Sequence, residues 1–292
     1  MDDKIGNLAN MTNGWISHFF SADRELKWHF AELEHSLWLT PNTLLVGRMD
    51  AGGENEAGLF FGEWKTANPR ERNTWKQVWR MNPQSLTYGV LANDYFQKTM
   101  GRSCDQFTVR KAFKSNPPTY DHAWYSFSTE ELDHWRSELI RIADEIRGYE
   151  AAGFDPYPTN WDSCFKFGIN YACPHFEQGC SKMKWDIPAD AVRRVSHLEI
   201  ERSMQRRVEA VAESQDYKAL APPKGTVILD ATRVKTWLTC RERFRRSYIE
   251  NVAEPMTEAL QIGINFHETI GAHYTQLVSQ QKGNQSERIV SA

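Results

Sequence analysis

The sequence predicts an α/β protein: a central mixed β-sheet flanked by helices, with a Cys-rich C-terminal segment. Three observations predict it. Short apolar runs bounded by turn residues alternate along the chain with stretches of helical periodicity. Apolar residues make up 40% of the chain and aromatic residues 12%, too rich for disorder. The 292 residues allow one large domain or two small ones, at about 100–200 residues per domain.

The elements follow in order. Residues 1–40 are expected to be helical and amphipathic, with Trp15, Phe19, Phe20, Leu26, Phe30, Leu33 and Leu37 at three- and four-residue steps, until Pro41-Asn42 breaks the run. Leu44-Leu45-Val46 through Asp50 and Leu59-Phe60-Phe61 through Thr66 read as two strands of a hairpin, joined by the polar, Gly-containing segment 51–57. Asn82-Pro83 starts a helix that runs to about Phe96, with Asn as cap and Pro in the first turn. Two more strands are expected in 106–128, around Asn116-Pro117-Pro118. A helix over 129–152, capped by Ser128 or Thr129, places Leu132, Trp135, Leu139, Ile142 and Ile146 on one face. A polar loop, 153–163, leads into a Cys-bearing segment, 164–180, and then a strongly charged helix, 189–216, where Arg193-Arg194 and Arg206-Arg207 lie on a solvated face. Ala221-Pro222-Pro223-Lys224-Gly225 reads as a linker, followed by a short strand at Val227-Ile228-Leu229, a helix start at Asp230, and helices over 231–250 and 257–280.

Charge and hydropathy exclude several classes of protein. Lys and Arg number 35 against 38 Asp and Glu, a net charge of −3. That rules out a uniformly basic nucleic-acid binder but not a local basic groove. Mean hydropathy is −0.62, and no apolar run approaches the roughly 18 residues of a membrane span. The opening Met1-Asp2-Asp3-Lys4 lacks the basic end and apolar stretch of a signal peptide. Five cysteines, an odd number, argue against a secreted disulfide framework and for a reducing, cytoplasmic compartment.

The first hairpin carries the chemistry. Asp50 ends its first strand; Glu63 and Lys65 stand two apart on the second and share a face by period-two alternation, while antiparallel pairing can bring Asp50 close to Glu63. Two carboxylates on a rigid sheet suit Mg²⁺ or Mn²⁺, and a neighbouring lysine can position a water or stabilise charge developing on a phosphate. The plain alternative is a surface ion pair beside a turn. Against it, these charges lie inside the apolar run Leu59–Thr66, where unpaired charge is costly.

Gly47-Arg48-Met49-Asp50 followed by Phe61-Gly62-Glu63-Trp64-Lys65-Thr66 resembles the PD-(D/E)XK nuclease superfamily in its RecB-like branch. There the pattern is Gly-x-x-Asp, then a hydrophobic strand ending in Asp/Glu-x-Lys-Thr, then Gln four residues before Tyr on the next helix; Gln84 and Tyr88 stand at that place and share one helix face. The resemblance implies a restriction-endonuclease-like core with Asp50, Glu63, Lys65, Gln84 and Tyr88 as the catalytic set.

Cys164, Cys173 and Cys180 do not have the close pairs of a zinc finger. Buried thiols, zinc and an iron–sulfur cluster all remain open for them from spacing alone, and Cys104 reads as incidental. Their setting among aromatic and Pro residues is similar to RecB-like nucleases of the iron–sulfur type, in a looser form like that of phage-type members. That resemblance implies a [4Fe–4S] cluster with a fourth, distant cysteine.

The family's opening motifs are displaced. Leu229–Phe244, with Cys240, resembles the opening helix that bears the fourth cluster cysteine, and Leu260–Glu268, with His267, resembles the next helix, whose His joins the metal site beside Asp50 and Glu63. Without the resemblance His267 reads as an ordinary helix histidine. The family order would be 226–292 followed by 1–190. The chain therefore reads as 1–190 nuclease core with Cys segment, 191–225 helical spacer and linker, and 226–292 N-terminal-type segment. That segment completes its own core, begins a neighbouring nuclease domain, or complements a second chain.

Two basic-aromatic stretches suit phosphate contact and base stacking: Arg241, Arg243, Arg245 and Arg246 with Trp237, Phe244 and Tyr248, and Arg70, Arg72, Lys76 and Arg80 with Trp75 and Trp79. The alternative for both is a solvated helix face covering core aromatics. The expected function is thus a Mg²⁺- or Mn²⁺-dependent DNA nuclease, in its exonuclease form acting in recombination, repair or phage DNA processing, in the cytoplasm of a bacterial or phage-infected cell. The partner is DNA, with no membrane. The competing expectation is a catalytically silent DNA-binding or structural module.

Overall fold

The structure, a computed structural model, describes residues 2–153, 160–164, 173, 225–249 and 258–290. The helix expected over 189–216, Ala221–Lys224 of the linker and Cys180 lie outside these residues. The elements are α1 (Asp2–Glu25), β1 (Lys27–Thr40), β2 (Thr43–Asn55), β3 (Gly58–Ala67), α2 (Trp75–Trp79), α3 (Pro83–Met100), β4 (Cys104–Phe113), β5 (Thr119–Ser126), α4 (Thr129–Ala152), α5 (Trp161–Cys164), β6 (Val227–Leu229), α6 (Ala231–Thr239), α7 (Arg241–Phe244) and α8 (Glu258–Val290). The fold is α/β, with a six-strand mixed sheet packed against helices. The strand order is β1-β2-β3-β4-β5, with β6 on β2. β2 and β3 pair antiparallel, β3 and β4 parallel, β4 and β5 antiparallel, and β6 runs parallel to β2 at Thr43–Leu45.

One expectation is corrected here. The helix expected over residues 1–40 ends at Glu25, and Lys27–Thr40 is a strand. Leu26, Phe30, Leu33 and Leu37 fit a helical step, but the same stretch also alternates: Trp28 and Phe30, then His35, Leu37 and Leu39, are its buried residues. Sheet pairing decides for the period of two. The Cys-bearing segment expected over 164–180 falls mostly outside the described residues; among those described, the cysteines are scattered at Cys104, Cys164, Cys173 and Cys240, and the C-terminal region is helical.

The local signals elsewhere act as their chemistry dictates. Asn82 caps α3 by accepting the Gln84 N–H at 2.9 Å, and Gly101 closes that helix with φ 65°. Ser128 and Glu131 form a reciprocal capping box on α4 at 3.1 and 2.8 Å. Asp230 caps α6 through the Thr232 and Arg233 amides. The helix expected over 231–250 is interrupted: Cys240 is extended (φ −162°, ψ 116°) between α6 and α7, and a π-helical turn follows at Arg245–Ile249.

By its contacts the chain divides into two units. The first comprises Met1–His35, Gly47–Trp135 and Thr257–Ala292; the second comprises Ser36–Val46 and Arg136–Met256. Residues 226–292 are thereby divided, with α8 in the first unit and β6, α6 and α7 in the second.

In the first unit, α1 and α8 cover one face of the sheet. Trp15 and Phe19 of α1 and Phe266, Ile270 and Tyr274 of α8 bury Trp28, Phe60 and Trp64. A charged network lies inside this core: the Arg110 guanidinium donates to Asp23 at 2.5 Å and to the Tyr274 hydroxyl at 2.6 Å, and that hydroxyl donates to Asp23 at 2.8 Å. The Arg110 and Asp23 side chains are 3% and 4% exposed. The arginine also lies over the Phe19 and Trp64 rings. On the opposite face, α3 packs against β3 and β4.

In the second unit, Trp237 and Arg241 donate to Glu145 at 3.2 and 3.1 Å, and Arg147 reaches the Asn42 carbonyl at 3.0 Å. Glu242 is fully buried between two arginines: Arg245 holds it through two bonds of 2.9 Å and Arg246 through one of 2.7 Å. Among the described residues no helix is long and apolar enough to cross a membrane.

Candidate active site

The candidate site opens where β2 and β3 part. Their ladder runs from Asn55↔Gly58 to Ala51↔Gly62. The Trp64 N–H then donates to Asp50 Oδ2 at 2.6 Å. A side-chain carboxylate thus satisfies a backbone donor at the split, which fixes the Asp50 rotamer.

Glu63 lies one residue before this amide, on the α3 face. Its side chain is 1% exposed, and its Oε2 lies 2.6 Å from Lys65 Nζ and accepts from Gln84 Nε2 at 3.1 Å. Its other oxygen, Oε1, is buried without a hydrogen-bond partner among the described residues. Burial raises the Glu63 pKa, Lys65 opposes the rise, and Asp50 and Glu32 add to it. Burial alone would lower the pKa of Lys65, whose side chain is 24% exposed; the Glu63, Asp50 and Glu32 carboxylates outweigh it and raise the value.

Gln84 and Tyr88 sit one turn apart on α3 with different tasks. Gln84 bonds Glu63, while the Tyr88 ring covers Gly47: a Cβ there would lie 2.9 Å from Tyr88 Cε1 and 2.7 Å from Leu91 Cδ1. The glycine of Gly-x-x-Asp is therefore the floor on which α3 rests.

His267 joins from α8, its Nδ1 3.8 Å from Asp50 Oδ2. Burial lowers its pKa below the usual histidine value, with Lys65 and Arg48 adding to the effect and Asp50 opposing it, so the ring is neutral at neutral pH. One turn further on, a Cβ at Gly271 would stand 2.5 Å from Glu32 Oε1. Bare helix backbone here admits the Glu32 side chain.

Glu32, Arg48 and Gly271 complete the site and were not expected to. Glu32 is the described non-glycine residue with a positive φ, 50°, and it sits where the buried positions of β1 change from even to odd numbers. That parity change is its sequence signal, hidden because Leu26, Phe30, Leu33 and Leu37 also fit a helical step. Burial and then Asp50 raise the Glu32 pKa to about 7, against Arg48 and Lys65. Arg48 Nε pairs with Glu32 Oε2 at 3.2 Å.

Neighbouring basic residues are variously engaged. Lys76 pairs with Asp121 at 2.8 Å, and Arg70 is exposed. Trp75 and Trp79 are buried, so their rings face the interior. They flank Lys111 at 5.2 and 5.6 Å; Lys111 pairs with Glu71 and stands beside Lys65 in the β3–β4 register. In the second unit Arg241 is paired to Glu145, Arg243 is half-buried, and Arg245 is buried on Glu242. Trp237 and Phe244 are buried.

The cysteine segments of the second unit meet. The Cys173 N–H donates to the Cys164 carbonyl at 2.9 Å, and the Asn160 and Ser163 side chains donate to the Thr239 carbonyl at 2.9 and 3.0 Å. Cys164 and Cys240 are buried and Cys173 is half-buried. Cys104 is buried in β4 of the first unit, where burial pushes its thiol pKa up.

Among the described residues, no three His, Cys, Asp or Glu side chains are arranged as a ready cage for a metal ion. The donor chemistry at β2 and β3 nonetheless fits a hard divalent cation: two carboxylates, one with an orphaned buried oxygen, and a neutral imidazole. Comparison with protein-family models matches none of them, and comparison with curated proteins returns no significant match.

Proposed function

We propose that this chain is a metal-dependent DNA nuclease of the RecB-like, PD-(D/E)XK kind. The observation that carries the reading is the buried, half-satisfied Glu63 carboxylate, with Lys65 2.6 Å away and Asp50 and His267 at the same split in the sheet. Asp50, Glu63 and His267 would hold Mg²⁺ or Mn²⁺. The bound ion lowers the pKa of water and neutralises charge developing on a phosphodiester. Lys65 orients the attacking water and donates toward the phosphate, Gln84 holds the Glu63 carboxylate, and Tyr88 seats α3 on Gly47. DNA is the partner and the cytoplasm the setting.

In the same reading Cys164, Cys173, Cys180 and Cys240 would hold a [4Fe–4S] cluster, Cys180 lying outside the described residues. Support comes from the hydrogen bonds that draw the Asn160–Cys164, Cys173 and Thr239–Cys240 segments together. In this reading residues 226–292 complete the same chain's core, a proposal supported by His267 standing beside Asp50.

Labelled DNA incubated with the purified chain in Mg²⁺ or Mn²⁺ tests the nuclease reading: the native chain degrades it, and Glu63→Ala does not. Equal cleavage by both overturns the assignment, and tight binding without cleavage in either metal favours a silent DNA-binding module. Anaerobic purification tests the cluster. A brown protein absorbing near 400 nm, lost in Cys240→Ser, supports it, whereas a colourless zinc protein removes it.

A further inference from the structure

We propose that Arg48 is the phosphate anchor of this site, a guanidinium fork that takes the oxygens of a substrate-strand phosphodiester at the mouth of the split, and that Glu32 is the positioning residue that holds it. The inference rests on the nuclease reading and adds to it a substrate-binding residue.

Arg48 stands two residues before Asp50, on the same side of β2 by strand alternation. Its side chain is 57% exposed. The charge is close enough to influence both Glu32 and His267, which places it at the site rather than on remote surface. Glu32 meets the guanidinium at Nε, and Arg48 has no other hydrogen-bond or ion-pair partner among the described residues. That leaves the outer edge of a planar fork turned to solvent, the geometry that binds two phosphate oxygens at once.

An ordinary exposed ion pair would not need what surrounds Glu32. Its backbone is left-handed at φ 50°, a conformation that costs a side-chain-bearing residue free energy. Its carboxylate occupies space that exists only because residue 271 has no Cβ. Two independent features, one on β1 and one on α8, thus converge on placing one carboxylate behind one arginine. A carboxylate beside Nε restrains the guanidinium and leaves its Nη edge for an incoming anion.

The test uses the full chain with single-stranded and duplex DNA and with RNA of the same sequence. Binding is measured in Ca²⁺ across a range of salt, and cleavage in Mg²⁺ or Mn²⁺. Arg48→Ala is expected to raise KM about tenfold with kcat changed far less. It should also flatten the slope of log Kd against log salt by about 0.7 on single strands or about 0.9 on duplex. Arg48→Lys restores the salt slope, since it keeps the charge, but only part of the KM, since it lacks the fork. Glu32→Gln raises KM in the native background and has no added effect on Arg48→Ala, the coupling expected of a positioning residue. An unchanged KM and salt slope in Arg48→Ala, with the native chain active, overturns the anchor and leaves the nuclease reading standing. A native chain that binds DNA without cleaving it still tests the anchor through the salt slope. A native chain that neither binds nor cleaves any of the three nucleic acids overturns both.

Discussion

Asp50 accepts the backbone N–H of Trp64 at 2.6 Å. The carboxylate therefore has a structural task and a chemical one, and the two can be separated. Asp50→Asn keeps an acceptor for that N–H but loses the charge that would bind a cation. Its melting temperature should stay within a few degrees of the native value, while DNA cleavage falls at least about a hundredfold. Thermal melting and a cleavage assay on one preparation measure both; loss of the fold would mean that the charge itself is structural.

Burial raises the pKa values of Glu32 and Glu63, Glu32 to about 7, so without metal the folded chain holds protons that the unfolded chain has released. At these two carboxylates the unfolded state binds fewer protons, so their contribution to stability falls as pH rises from the ordinary carboxylate range through 7. His267, whose pKa is lowered by burial, contributes with the opposite sign below the usual histidine range. In EDTA the melting temperature should decline from pH 7 to 8, above the range in which the histidines titrate. Added Mg²⁺ or Mn²⁺ should raise it by more at pH 8 than at pH 5.5, because the cation competes with protons. A metal effect that is flat with pH would show that these carboxylates do not bind it.

Gly271→Ala should move stability and activity in opposite directions. Alanine favours a helix interior by about 1 kcal/mol, and the atoms its Cβ meets belong to the flexible Glu32 side chain, at 2.5 to 2.9 Å. Glu32 must swing away from Arg48. The expected variant melts no lower than the native chain and shows the raised KM of Glu32→Gln.

Arg110→Met should be among the most destabilising single changes in the first unit. It leaves the Asp23 carboxylate, 4% exposed, without the cation that compensates its burial. About 3–5 kcal/mol is expected from stranding such a charge, read from denaturant midpoints at constant m-value. The double variant Asp23→Asn with Arg110→Met should regain part of it.

The Asp50, Glu63 and Lys65 set was legible in the sequence because its order and spacing are local: a hairpin, then a capped helix placing Gln84 over Glu63. Glu32 was not legible, because Leu26, Phe30, Leu33 and Leu37 also mark a helix, and only pairing in the sheet decides between the two periods. The roles of Trp75 and Trp79 were equally ambiguous. A short run of basic and aromatic residues has the same composition whether its indoles face DNA or, as here, flank the buried side chain of Lys111. The residues around Cys240 predict a continuous helix, and nothing in its neighbours signals the extended backbone that separates α6 from α7.

The Asp23–Arg110–Tyr274 network joins residues 251 and 164 positions apart in the chain. Such contacts cannot form early, since closing loops of that length precedes any gain from the bonds themselves. During synthesis the aromatic face of Trp28, Phe60 and Trp64 waits for α8. At ribosomal speeds that wait is on the order of ten seconds or more. Through that interval the part of this face that α8 covers stays open, and mutations in α8 should first appear as lost yield of soluble protein.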